Sequence, residues 1–185
     1  MHTQQRHNGV HHFNFAARVL HWLMAVLILA MLFIGVGMMS SLGLRPWLID
    51  LHRPLGIAIL VLAILRLGNR LLNATPPLPA SLPYWQRKAA HVSHLLLYML
   101  MLCLPLLGWA TLSAGNWPVT MFTGWNLPPI VPVSSVLYAW FRAAHGFFAW
   151  ILFLLVLGHL CAALIHAWIY RDGVFSSITR KTPVK

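Results

Sequence analysis

Charge is what this chain has least of. Only 8% of its 185 residues are charged, and Asp50 and Asp172 are its only acids. A water-soluble globular protein carries about 25% charged residues. A chain that is 59% hydrophobic, with a mean hydropathy of +0.74, has too few polar groups to cover a soluble surface. Cysteine is scarce as well. Cys103 and Cys161 both lie deep in apolar segments, so a disulfide framework has no support, and the lack of CxxC and CxxCH spacings argues against covalent haem attachment. The N-terminus does not read as a cleavable signal peptide either. Its first 15 residues are polar and His-rich, and the apolar run behind them is long enough to span. Lysine and arginine are present, 13 together, for a formal net charge of +11. In a soluble domain that balance would point to nucleic acid. Here the charges sit at the ends of apolar runs, so the expected partner is the lipid bilayer and no nucleic acid.

Crossing the hydrocarbon core takes about 20 apolar residues in a helix. Residues 17–40, 51–72, 90–113 and 140–169 qualify. Between them "SLGLRPWLID", the proline-laden "NATPPLPASLPYWQRK" and the longer "SAGNWPVTMFTGWNLPPIVPVSS" read as loops. The expected fold class is all-α, an integral membrane four-helix bundle over residues 16–170. A polar His-rich tail (1–15) precedes it and a basic tail (171–185) follows. Arg6, Arg18, Arg66, Arg70, Arg87, Lys88, Arg171, Arg180, Lys181 and Lys185 gather on one side, against Arg45, Arg53 and Arg142 on the other. That excess puts the N and C termini in the cytoplasm and the Trp-rich loop in the opposite compartment, the periplasm of a bacterium. Trp22, Trp47, Trp85, Trp109, Trp117, Trp140 and Trp168 fall near the expected helix ends, where interfacial belts form.

Ionisable side chains inside a membrane are costly and usually functional. His145 and His159 are fourteen residues apart on the fourth helix. At about 100° and 1.5 Å per residue they share one face to within roughly 40° and differ in depth by about 21 Å. His52 opens the second helix at the depth of His145, and His21 lies in the first at the depth of His159. The expected pairs are His52 with His145 and His21 with His159. Two bis-imidazole sites stacked across a membrane suit two b-type haems, with both axial positions of each iron filled and none left for oxygen. One intramembrane histidine is as often a hydrogen-bonded packing residue; four at matched depths speak against coincidence. A bare zinc or copper centre would need three or four ligands at one depth, usually with cysteine or carboxylate, so a histidine-lined metal transporter is the weaker reading. Gly56 lies one turn from His52, where a missing Cβ lets a flat macrocycle approach. Gly35 and Gly37 lie at the outer depth, and Gly146 and Gly158 adjoin ligands, all in keeping with haem. Ordinary small-residue packing explains each glycine equally well.

Arg53 follows His52, and Arg142 precedes His145 by one turn. Either guanidinium could hold a haem propionate through two parallel hydrogen bonds or steer a small anion to the outer haem edge. Arg18 is the corresponding candidate at the inner haem. His91, His94 and His166 cluster toward the cytoplasmic side as a candidate quinone site, where imidazoles would bond a carbonyl and relay protons. His94 and His166 are better placed there than His91, and packing histidines are the alternative. His2, His7, His11 and His12 belong to the polar tail, a solvated or weakly metal-binding segment.

"ARVLHW", "LHRPLGIAILVLAILRLGNRL", "AAHVSHLLLYMLMLCLPLLGW" and "RAAHGFFAWILFLLVLGHLCAALIH" resemble the four helices of the bacterial cytochrome b561 family. "NATPPLP", "GWNLPPIVP" and "YRDGVF" fit the same pattern. The resemblance covers residues 15–180 and implies a four-helix bacterial membrane protein with two b haems. It puts the ligands on His21, His52, His145 and His159. It also implies electron exchange with quinone. One branch of the family oxidises superoxide at the periplasmic face and reduces ubiquinone, with a basic outer funnel that Arg53 and Arg142 would match. The expected function is therefore electron transfer across the inner membrane, as a superoxide:ubiquinone oxidoreductase. The alternative is a cytochrome b electron-carrier subunit linking quinone to a periplasmic redox protein, with residues 114–138 as its docking surface.

Overall fold

Asn14 starts the first helix. Its side-chain oxygen accepts a hydrogen bond from the Ala17 N–H at 2.7 Å, satisfying one of the free donors of the first turn, worth about 1 kcal/mol. The computed structural model describes residues 13–79, 82–122 and 125–179. Within them α1 is Phe15–Ser40, α2 Arg45–Leu72, α3 Tyr84–Ala114 and α4 Ser135–Ile165. A single π-helical turn, His166–Tyr170, extends α4. All four are long and apolar enough to cross a membrane.

All four helices begin earlier than their apolar runs: α1 at Phe15 rather than 17, α2 at Arg45 rather than 51, α3 at Tyr84 rather than 90, and α4 at Ser135 rather than 140. Hydropathy marks the lipid-embedded stretch, whereas a helix continues into the polar interface because its backbone groups still pair internally. Proline in the first turn of α2 costs little, since the N–H it lacks is unpaired there anyway. Residues 45–50 and 84–88 are thus helix and not loop. Ser134 caps α4 by accepting from the Leu137 N–H at 3.3 Å.

The chain is not helical throughout. Between α3 and α4 a short hairpin pairs β1 (Val119–Phe122) with β2 (Trp125–Leu127), antiparallel, with Val119 opposite Leu127. Trp109 Nε1 donates to the Pro128 carbonyl at 3.0 Å, and the Ile130 N–H donates to Ser113 Oγ at 3.2 Å. These bonds fasten the loop to the end of α3. Past α4 the expected tail holds a further short helix, α5 (Val174–Thr179). The His-rich stretch with His2, His7, His11 and His12, together with Arg6, Arg180, Lys181 and Lys185, lies outside the described residues.

α1 packs on α2, α2 on α3 and α3 on α4; among the described residues α4 scarcely approaches α1 or α2. Met24 and Ile28 of α1, Ile59 and Ala63 of α2 and Met101 of α3 form the buried core, and Leu100, Leu104 and Leu152 a second cluster beside it. Both lie midway along the helices. A Cβ on Gly37 would stand 3.0 Å from Leu48 Cδ1, and one on Gly56 3.7 Å from Met31 Cε. Both glycines therefore serve α1–α2 packing. A Cβ on Gly35, Gly146 or Gly158 would meet nothing within 4 Å. Trp22, Trp47, Trp85, Trp117, Trp140 and Trp168 are exposed, as an interfacial belt requires.

Candidate functional site

The two helices that keep clear of α4 both turn a histidine toward it. At the hairpin end, His52 of α2 and His145 of α4 have ring centres 6.0 Å apart at an interplanar angle of 67°. At the other end, which we call terminal because α1 begins and α5 lies there, His21 of α1 and His159 of α4 are 6.5 Å apart at 72°. The apolar core lies between the two pairs.

These separations have a chemical meaning. Both pairs are edge-to-face arrangements, and His21 Nδ1 and His52 Nδ1 are buried with no hydrogen-bond partner. An unsatisfied buried polar group costs about 1–3 kcal/mol, so neither ring is held in place as a fully hydrogen-bonded packing histidine. Two imidazoles on opposite sides of one metal ion, each bonded at about 2 Å, put their ring centres about 6 Å apart. The donor set thus fits a haem iron held from both sides. Among the described residues no three His, Cys, Asp or Glu side chains come together as ligands for a bare metal ion.

His145 is oriented from α3. Its Nδ1 donates to the Leu104 carbonyl at 3.0 Å, which leaves Nε2 as the nitrogen with a free lone pair. Gly108, one turn past Leu104, gives the ring room: a Cβ there would already touch His145 Cε1 at 3.4 Å. Beside this pair, Arg53 reaches Asp50 at 3.9 Å and keeps a buried Nε without a partner. Arg142 donates from Nη1 to Tyr138 Oη at 3.0 Å and is exposed.

At the terminal end His21 and His159 line a cavity of about 830 Å³, within the usual range for small-molecule sites. His94 lines it too, its ring 5.5 Å from that of His159. So do Arg66 and Arg70, whose guanidiniums lie 5.5 and 5.6 Å from the centre of the Tyr98 ring, an attraction worth about 0.5–2 kcal/mol. Among the described residues neither has a carboxylate within ion-pair distance, so an anionic group in the cavity would find two cations waiting. α5 covers part of its mouth with Val174 and Phe175.

The other predicted residues sit elsewhere. Arg18 lines a shallow groove with Phe15 that adjoins the cavity across Trp22 and Ile178, and does not line the cavity itself. His91 is exposed and donates from Nδ1 to the Arg87 carbonyl one turn back at 2.7 Å. His166 points at Asp172, with Nδ1 2.6 Å from Oδ2, and does not line the cavity, whereas Asp172 does. Sequence reasoning missed Arg66, Arg70, Tyr98 and Asp172 as site residues. Arg66 and Arg70, one turn apart on an apolar helix, were a readable signal for an inward-facing basic face.

Four membrane-length helices, with imidazoles of the fourth facing imidazoles of the first two, define a membrane cytochrome. A family model described as prokaryotic cytochrome b561 matches residues 12–181. The chain is 31% identical over 166 residues to cytochrome b561 homolog 1 of Escherichia coli K12, covering 83% of this chain and 89% of that protein. It is 26% identical over 166 residues to cytochrome b561 homolog 2 of the same strain, covering 88% of each. Its identity to the probable superoxide oxidase CybB of Yersinia pestis is 29% over 167 residues, 90% of this chain and 93% of that one. The chain belongs to the prokaryotic cytochrome b561 family, a multi-pass bacterial membrane protein for which the family implies b-type haem.

Proposed function

We propose that the chain holds two b haems and carries electrons across the bacterial inner membrane, from superoxide outside to ubiquinone inside. The observation that carries this reading is the pair of imidazole–imidazole separations, 6.0 and 6.5 Å, at two depths of one helix. His52 and His145 would hold the outer haem, and His21 and His159 the inner one. When bound, the haems supply one-electron carriers with no open coordination position. The excess of Lys and Arg on the terminal side supports cytoplasmic termini, which makes the hairpin end periplasmic.

The side chains then have separate tasks. Arg53 and Arg142 make the outer end basic and attract the superoxide anion. The Leu104 carbonyl fixes the His145 ring. Arg66 and Arg70, rather than Arg18, offer propionate partners at the inner site. The remaining volume beside His94 would take the quinone head. Overall, two superoxide anions give up two electrons and leave as dioxygen, while quinone takes two electrons and two protons to become quinol. The relative of Yersinia pestis with a superoxide oxidase name supports the donor. Purified protein given a superoxide source and a soluble ubiquinone analogue should form quinol well above the uncatalysed rate. Quinol formation at background, with haem present, would contradict the reading.

A second reading is an electron-carrier subunit that docks a periplasmic redox protein. The exposed Trp117, Trp125, Ile130 and Val133 at the hairpin end favour it. Stable co-purification of a partner, with slow turnover of superoxide, would select it.

A further inference from the structure

The chain has two carboxylates, and they are placed very differently. Asp50 is 75% exposed at the hairpin end, beside Arg53. Asp172 is 13% exposed, and it meets His166, itself 16% exposed. Asp172 Oδ1 accepts from the Val174 N–H at 3.1 Å and so starts α5, while Oδ2 accepts from His166 Nδ1 at 2.6 Å. Capping a helix needs only the first of these bonds. The second depends on a local backbone device. The π-helical turn ends in Arg171 at φ 50°, whose N–H donates to the His166 carbonyl at 2.9 Å, and this reversal brings Asp172 back beside a ring six residues earlier. Such π turns recur at functional sites. The result is a carboxyl group in the cavity wall with an imidazole behind it, outside that wall.

We propose that Asp172 and His166 form a proton relay from the cytoplasm into the terminal cavity; this rests on the quinone reading above. An imidazole can give a proton from one nitrogen and take one at the other. Protonated Asp172 gives its proton to a quinone oxygen: the acid O–H bond breaks and the quinol O–H bond forms. The carboxylate left behind takes the Nδ1 proton of His166. His166 Nε2 binds a proton from cytoplasmic water as Nδ1 gives its own away. The ring returns to its starting tautomer when its bond to Asp172 opens and water takes the Nε2 proton and supplies one to Nδ1. Two rounds match the two electrons that superoxide supplies in the proposed reaction. Arg66 and Arg70 from α2, His94 from α3, His21 from α1 and His159 from α4 face the same cavity, and Arg171 adjoins Asp172. His166 is thus a relay and does not itself bond the quinone carbonyl.

The test uses the purified haem-loaded protein and three variants, Asp172→Asn, Asp172→Glu and His166→Gln. Three quantities are read: the optical spectrum, the rate of haem reduction by superoxide, and quinol formation between about pH 6 and 8. Spectrum and haem reduction should stay native in all three. Quinol formation should slow at least about tenfold in Asp172→Asn and His166→Gln, a modest share of what acid–base groups contribute. The deficit should grow as pH rises, and Asp172→Glu should recover most of the rate. His166→Gln leaves the Oδ1 cap of α5 in place, so its deficit cannot come from a lost cap. Native rates in Asp172→Asn, or a loss equal at every pH that Asp172→Glu does not relieve, would overturn the relay. If the native chain is reduced by superoxide yet forms no quinol, the quinone reading falls first and the relay with it.

Discussion

His159 has an imidazole on each side, His94 at 5.5 Å and His21 at 6.5 Å, and distance alone does not choose between them. The separation from His21 better suits a metal ion between the rings, at about 2 Å from each nitrogen, and favours it as the iron-facing partner. His94→Ala should therefore keep both haems by pyridine haemochrome assay, while His21→Ala should lose one. The reverse result would make His94 the ligand. At the other end, Arg53 and Arg142 act through charge. Replacing both with Gln should slow haem reduction by superoxide roughly tenfold at low salt and flatten its dependence on ionic strength. Stopped-flow traces at several salt concentrations would check this. At this scale the sequence was informative where spacing carries the chemistry. Fourteen residues from His145 to His159 dictate a shared face whatever the rest of the chain does. It was poor where a tertiary contact decides. Nothing local distinguishes Arg18, in its adjoining groove, from Arg66 and Arg70, which face the cavity. The bond from His166 to Asp172 depends on a backbone reversal that no hydropathy pattern encodes.

Among the elements, α4 has the unusual position. It packs on α3 through Leu152, Leu100 and Leu104 and has little contact with α1 and α2, and at the His159 end the gap is the cavity of about 830 Å³. α1 and α2, by contrast, are drawn close, and Gly37 is where that closeness is tightest. A leucine there would drive a side chain into Leu48, already 3.0 Å from the position of a Cβ. Gly37→Leu should cost about 1–3 kcal/mol, seen as a lower thermal midpoint in detergent with the haem spectrum native before the transition. An unchanged midpoint would mean that α1 and α2 separate without penalty. The four helices themselves were readable from hydropathy, but their N-terminal turns were not. Arg45–Asp50 and Tyr84–Lys88 are polar enough to resemble loops, and their helical state follows from backbone pairing at the membrane interface. The hairpin Val119–Leu127 was hidden in the same way, in a stretch whose prolines and glycine read simply as loop.

For the whole molecule, orientation decides which redox partner meets which site. With the termini in the cytoplasm, a cysteine in place of Thr120 in the hairpin should react with a membrane-impermeant thiol reagent added outside intact spheroplasts, and one in place of Ser176 in α5 only after lysis. The opposite pattern would exchange the proposed donor and acceptor sides. Either orientation rests on the proposal that paired imidazoles at two depths hold two b haems. Haem counted per chain in the purified protein, together with His52→Ala and His159→Ala, tests it most directly. The prediction is two haems in the native chain and one in each variant, with the surviving haem spectrally different between the two. A single haem in the native chain, or both retained in either variant, would contradict it.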